Sequence, residues 1–265
     1  MITSILIYAV LGSVAGVLAG LLGVGGGIVI VPLLSIAFAM QHFPHEVIMH
    51  LALGTSMASI IFTSISSAMA HNRRGAVLWN IVKIITPSIL AGTFLGSFFA
   101  SKIPTQYLQL FFALFLLFVS IQMFLGKNPK AARKLPKAPG LSFFGSIIGI
   151  ISSLVGIGGG TLSVPFMIFH NIELRKAIGT SSAIGIPIAV AGAAGYMVNG
   201  LSNPFLPEYS LGYIYLPALI GLVMFSTLTS PFGAKLTHTL PVSRIKKCFA
   251  LLLLAISIKM LIGTI

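Results

Sequence analysis

Gly23-Val24-Gly25-Gly26-Gly27-Ile28-Val29-Ile30-Val31-Pro32 sits inside an otherwise apolar stretch, and it returns as Gly156-Ile157-Gly158-Gly159-Gly160-Thr161-Leu162-Ser163-Val164-Pro165. Three consecutive glycines destabilise a helix by roughly 2–3 kcal/mol against alanine. They also permit φ > 0 and close backbone approach. Each stretch therefore reads as a helix break followed by a short half-helix. Working outward, Gly12 and Gly16 recur as Gly145 and Gly149. Leu53-Gly54-Thr55-Ser56 recurs as Ile178-Gly179-Thr180-Ser181, and Gly96 and Pro104 recur as Gly233 and Pro241. Phe112–Met123 aligns with Phe249–Met260. Apolar helices resemble one another by chance, but glycines and prolines repeated in one order do not. The repeat predicts two halves, 1–126 and 141–265, joined by a basic, proline-containing linker at 127–140.

The surroundings of the motif are hydrocarbon rather than water. Of 265 residues, 57% are hydrophobic and 7% charged. A soluble domain carries about 25% charge, so a soluble domain and a disordered tail are both excluded. Apolar stretches of roughly 20 residues cross a bilayer as helix. They are expected near 2–22, 47–70, 77–101, 105–126, 174–198, 211–234 and 245–264, with two further apolar regions, 26–40 and 141–169, interrupted by glycine. Runs such as Leu110–Phe118 are apolar on every face, so helices are expected rather than a β-barrel. No Lys or Arg precedes the first apolar run, so 2–22 is expected to be retained rather than cleaved. Cys248 is the one cysteine, which excludes an internal disulfide.

The net charge of +13 comes from sixteen Lys and Arg against three Glu. A nucleic-acid partner would need a basic soluble face, and the chain has none. Cytoplasmic loops collect cations instead. With the linker cations Lys127, Lys130, Arg133, Lys134 and Lys137 inside, Arg73, Arg74, Arg175, Lys176, Lys235, Arg244, Lys246 and Lys247 also fall inside. Lys102 is the one loop cation outside, on the side of Glu46 and Glu208. This assignment needs each glycine-broken pair to be a hairpin. It puts both termini outside and inverts the second half relative to the first, an architecture of secondary transporters.

Backbone can leave the helix at membrane depth only where protein or a water-lined cavity satisfies it. A half-helix starting there directs unpaired N–H groups and about +0.5 charge at its N-terminus. That is an anion site without a cationic side chain. The candidate site is Gly25, Gly26 and Gly27 facing Gly158, Gly159 and Gly160. Hydroxyls of Thr55, Ser56, Thr180, Ser181 and Ser182 are candidates for further donors. Packing against neighbouring helices is the competing reading of the triple glycines, and the preferred one for Gly12-x₃-Gly16-x₃-Gly20 and Gly92-x₃-Gly96. No carboxylate lies within an expected span, which disfavours cation transport. His45 and His50 are five residues apart and face about 140° apart on a helix, which disfavours a shared metal. His42, His170 and His238 are expected in solvent, and Trp79 and the tyrosines of 196–215 in an interfacial belt.

With both Gly-x-Gly-Gly-Gly-x₄-Pro motifs, both Gly-Thr-Ser motifs and Gly-x₇-Pro before each final helix, the sequence resembles the sulfite exporter TauE/SafE family along nearly its whole length. The resemblance implies a multi-pass carrier of the bacterial inner membrane for sulfite, organosulfonates such as taurine, or related small sulfur-containing anions. It suggests export more than import, a homodimer, and no cofactor. The expectation is an all-α polytopic membrane protein, not an enzyme, working by alternating access. An anion channel, an importer of the same substrates and a non-transporting membrane subunit are the alternatives.

Overall fold

The computed structural model describes residues 2–22, 26–125, 135–239 and 242–262, and within these the side chains except at 2–6, 22, 237–239 and 242–248. Gly23, Gly25, the linker residues 126–134, Pro241, and the side chains of His238, Arg244, Lys246, Lys247 and Cys248 lie outside the described residues.

The first half contains α1 (Ile2–Leu22), α2 (Gly27–Met40), α3 (His45–Asn72), α4 (Trp79–Ala100) and α5 (Thr105–Leu125). The second contains α6 (Ala138–Val155), α7 (Gly160–Phe169), α8 (Leu174–Gly200), β1 (Ser210–Leu211), β2 (Ile214–Tyr215), α9 (Leu216–Thr239) and α10 (Val242–Ile262). Among the described residues, α3, α4, α5, α6, α8 and Leu216–Leu236 are long and apolar enough to cross a membrane. The protein is a polytopic, all-helical membrane protein apart from the two-residue strands. The expected span at 211–234 begins later, at Leu216. The residues before it form a tight hairpin in which Ser210 pairs with Tyr215, with Gly212 at φ +55.

The α3 and α8 helices form the buried centre and run antiparallel. Gly54 lies beside Tyr196, Met57 beside Gly192 and Ser64 beside Gly185. Ser67 Oγ donates to Ser182 Oγ at 3.0 Å. Around them α1 packs on α9, α4 on α6, and α5 on α10. The outer faces are apolar. Ile220, Met224, Leu228 and Phe232 form one exposed stripe along α9, at the four-residue spacing of a single helix face. Such a stripe is unfavourable in water and costs nothing against lipid tails.

Small residues bring the helices close. A Cβ on Gly12, Gly16 or Gly20 would run into the α9 backbone at Leu222, Ser226 or Ser230. Gly92 and Gly149 do the same across α4 and α6, against Ser146 and Ile89. These contacts occur in pairs that exchange when the halves are exchanged. Ser120 Oγ donates to the Ala250 carbonyl at 2.8 Å. Its counterpart Ser257 Oγ donates to the Ala113 carbonyl at 2.9 Å.

Two sequence expectations need correction. Tyr196 is not in an interfacial belt. It is fully buried, and its hydroxyl donates to the Ser153 carbonyl at 2.8 Å. Likewise, His170 is buried rather than solvated, with its ring 4.4 Å from that of Phe166 and Nδ1 2.7 Å from the Phe166 carbonyl. Both sit where a chain reversal folds onto a helix, and periodicity within one helix carries no information about such a neighbour.

Candidate substrate site

The glycine breaks reverse the chain. Gly26 comes back beside Ala15, where a Cβ would lie 2.8 Å from the Ala15 carbonyl oxygen. Farther along, Gln41 Nε2 donates to Tyr8 Oη at 2.8 Å. Contacts of α2 therefore move toward the start of α1 as α2 proceeds, so the two helices run antiparallel. In the second half, Gly159 lies beside Ile148 and the Phe166 ring lies tilted against Phe144 at 4.7 Å, with the same order. Both reversals use a left-handed glycine as N-cap, Gly26 at φ +80 and Gly159 at φ +75. A left-handed backbone costs a residue with a Cβ roughly 1–2 kcal/mol, which explains glycine at both positions.

Each reversal exposes a helix N-terminus within the protein. Neither α2 nor α7 has a side-chain cap. The Gly26 carbonyl accepts from Val29 and Ile30, and the Gly159 carbonyl from Leu162 and Ser163. The N–H groups of Gly27, Ile28, Gly160 and Thr161 have no hydrogen-bond acceptor among the described residues. Gly27, Ile28, Gly158, Gly159 and Gly160 are buried. Several uncompensated donors at a buried helix start are costly to a protein that leaves them empty and favourable for one that presents them to an anion.

The breaks meet. Gly27 faces the Gly156 carbonyl so closely that a Cβ could not be inserted, and the same Cβ would be 3.0 Å from Ile157 Cα. Ser56, from the first Gly-Thr-Ser motif, donates to that Gly156 carbonyl at 2.9 Å. In the second motif Ser181 Oγ accepts from Ser163 Oγ of α7 at 2.8 Å. The threonines anchor chain outside the breaks: Thr55 Oγ1 accepts the Tyr215 N–H, and Thr180 Oγ1 the Leu78 N–H, each at 2.9 Å. Of the expected residues, Gly27 and Ser56 thus meet the second break at Gly156, Gly26 and Gly159 cap α2 and α7, Gly158 and Gly160 flank the Gly159 cap, and Ser181 bonds to α7 through Ser163. Thr55 and Thr180 hold the segments that lead into α9 and α4, and Gly25 lies outside the described residues.

Three hydroxyls absent from the sequence reading stand by the second break. Ser64 Oγ, Ser152 Oγ and Thr161 Oγ1 are buried with no hydrogen-bond partner among the described residues. Their signal was available in the repeat, where Ser152 and Thr161 replace Ala19 and Ile28 of the first half. On one approach, Tyr213 stacks on His50 at 5.0 Å and Tyr215 meets Phe38 and Phe43 edge-on at 5.6 and 5.1 Å. Burial raises the Tyr215 phenol above its ordinary range, with Tyr209 adding to the effect. A groove of about 520 Å³ lies between α1, α9 and α10, lined by Ser13, Val14, Val17, Leu18, Thr229, Phe249 and Leu252. Its hydroxyls are engaged with their own helices, Ser13 with Ala9 and Thr229 with Phe225, so it offers an anion nothing.

The family profile of the sulfite exporter TauE/SafE matches residues 8–260. The chain belongs to the TauE/SafE family. A probable membrane transporter protein of Haemophilus influenzae is 40% identical over 98% of this chain and 99% of its own length. The probable membrane transporter protein YdhB of Bacillus subtilis is 30% identical over 85% of this chain and 87% of its own. A third, from Methanocaldococcus jannaschii, is 25% identical over 86% of this chain. No solved structure matches the chain. With six long apolar helices, this TauE/SafE protein is a multi-pass membrane transporter by family, and these relatives are named as transporters rather than enzymes.

Proposed function

We propose that the protein is a secondary transporter of small sulfur-containing oxyanions, such as sulfite or an organosulfonate, built as two inverted repeats, 1–126 and 141–265, joined by a cytoplasmic linker at 127–140. One observation carries this reading: two uncapped helix N-termini, α2 and α7, are buried, and the breaks that create them touch where Gly27 of α2 meets Gly156, the C-cap of α6. Their dipoles and free N–H groups suit an anion and repel a cation. The site comprises Gly25, Gly26, Gly27, Gly158, Gly159 and Gly160. Thr55, Ser56, Thr180 and Ser181 position it.

The inverted arrangement is supported by α3 and α8, which occupy matching places in the repeat and run antiparallel. It is also supported by the charges. Arg73 and Arg74 belong to the loop that Thr180 holds, at the end where α8 begins with Arg175 and Lys176. Glu46 and Lys102 lie at the other end, joined through Thr105 Oγ1, which donates to the Glu46 carbonyl. Under the positive-inside rule the first end is cytoplasmic. Both termini are then outside, in a bacterial inner membrane. Rocking of one half against the other would open the site to each side in turn. Export is the direction that the family's name indicates, and a homodimer is the proposed assembly.

Flux of radiolabelled sulfite and taurine into proteoliposomes tests the reading. A carrier shows saturable uptake and countertransport. Non-saturating conductance would make the protein a channel, and absence of flux for every anion would leave a non-transporting subunit.

A further inference from the structure

The two halves share the glycine break but not what surrounds it. At the second break, Ser152 is fully buried on α6, and its Oγ lies 3.5 Å from where a Cβ on Gly159 would stand. Ser64, 1% exposed on α3, faces Gly185. A Cβ on Gly185 would lie 2.6 Å from Ser64 Oγ and 3.2 Å from the Gly158 carbonyl oxygen. Thr161 is the second residue of α7, and its Oγ1 is buried. None of these three hydroxyls has a hydrogen-bond partner among the described residues. Serine and threonine in a membrane helix normally bond back to a carbonyl of the preceding turn, as Ser153 and Thr63 do here. A buried hydroxyl left without a partner is unfavourable, so three around one helix start point to a ligand that supplies the acceptors.

The first break lacks this set. By place in the repeat, Ser152, Thr161 and Ser64 correspond to Ala19, Ile28 and Ala189. The counterpart of Gly185 is Ile60, whose Cδ1 fills the space beside Gly27. Thr63, the counterpart of Ile188, is polar, but its hydroxyl is engaged by the Ser59 carbonyl at 2.8 Å. The other unpartnered hydroxyls, Thr93, Ser210, Ser226 and Thr227, lie on α4, the β-hairpin and α9.

We infer that the transported oxyanion is held at one break alone, at the N-terminus of α7, with Ser64 of α3, Ser152 and Thr161 donating to its oxygens. The first break serves as the apolar wall opposite. This rests on the anion-transport reading above and assigns the charge within it. Hydroxyl donors and helix N–H groups suit a sulfite or sulfonate head, which presents three acceptor oxygens and no donor when ionised. An apolar wall beside it accepts the carbon chain of a sulfonate or simply excludes water.

The test is uptake of radiolabelled sulfite by proteoliposomes holding the full chain. The variants are Ser152→Ala, Ser64→Ala and Thr161→Val, with Ser59→Ala and Ile28→Val as first-break controls. Folding is checked by gel filtration in detergent. Losing one hydrogen bond to a charged group weakens binding roughly tenfold or more. The expected result is a KM raised about tenfold in each of the first three and by less than twofold in the controls. Ser152→Thr keeps the hydroxyl and should regain at least half of the loss. If sulfite KM is unchanged in all three while Ile28→Val raises it, the charge sits at the first break and the inference is wrong. If all five variants match the parent protein, neither break holds the charge. A parent protein that moves no anion overturns the transport reading itself.

Discussion

Thr180 Oγ1 accepts the backbone N–H of Leu78 at 2.9 Å, and Thr55 Oγ1 accepts that of Tyr215 at the same distance. The threonines hold matching places in the repeat. Leu78 is the N-cap of α4, and Tyr215 immediately precedes α9. Just before each bond a carbonyl presses on the adjoining glycine, Ala76 on Gly179 and Tyr213 on Gly54. The Gly-Thr pair is thus a seat for the loop entering the next helix.

Thr180→Val keeps the volume and removes the acceptor. It leaves the Leu78 N–H unpaired, which costs roughly 1–3 kcal/mol. The expected result is a lower melting temperature of the purified protein in detergent, with Thr180→Ser close to the parent. Equal stability of the Val and Ser variants would show that water replaces the threonine.

Gly159→Ala meets only the tip of Ile188 nearby, a flexible side chain, but must adopt φ +75. The strain is about 1–2 kcal/mol. Folded yield should survive, while saturable sulfite uptake falls as the α7 start shifts. Uptake equal to the parent's would mean that the left-handed cap does not govern the site.

Gly16→Leu should fail earlier, at assembly. Its Cβ would collide with the Ser226 carbonyl and the Thr229 hydroxyl, where α1 and α9 touch. Gly75→Ala provides the contrast, with open space around it and only φ +65 to accommodate. Gel filtration should show loss of folded Gly16→Leu and a near-normal Gly75→Ala, destabilised by about 1–2 kcal/mol.

Single-cysteine labelling on a Cys248→Ser background tests orientation. Arg74 and Glu208 are both exposed. Arg74→Cys should react with an impermeant maleimide only after the cytoplasmic side is opened, and Glu208→Cys in intact cells. The reverse pattern would invert the topology.

Tyr196→Phe removes the bond to the Ser153 carbonyl and nothing else from a fully buried ring. A net loss of about 1 kcal/mol is expected, read as a small drop in melting temperature.

Much of this was legible in the residues. Five of the uninterrupted spans, at α3, α4, α5, α8 and α9, the reversals before α2 and α7, and the polar Thr-Ser pairs are local. Apolar length and glycine runs act through the chain's own backbone. Sorting the cations by loop needed only counting. By contrast, the depth of Tyr196, the burial of His170 and the hairpin ahead of α9 depend on residues far away in sequence. None of these leaves a periodic trace in its own segment.

The sequence by itself determined a membrane-embedded chain of helices, its doubled motif and the two places where helix must stop, because hydrophobicity and glycine conformational freedom are properties of single residues and short windows. Only the tertiary structure decided that the two breaks touch through Gly27 and Gly156. It also decided that the threonines seat loops while Ser56 holds a carbonyl of the opposite half. And it alone showed that three of the unpartnered hydroxyls, those of Ser64, Ser152 and Thr161, stand at the second break. Hydrogen-bond satisfaction belongs to pairs of atoms, and the bonds of Ser56, Thr180 and Thr55 join residues 100, 102 and 160 positions apart.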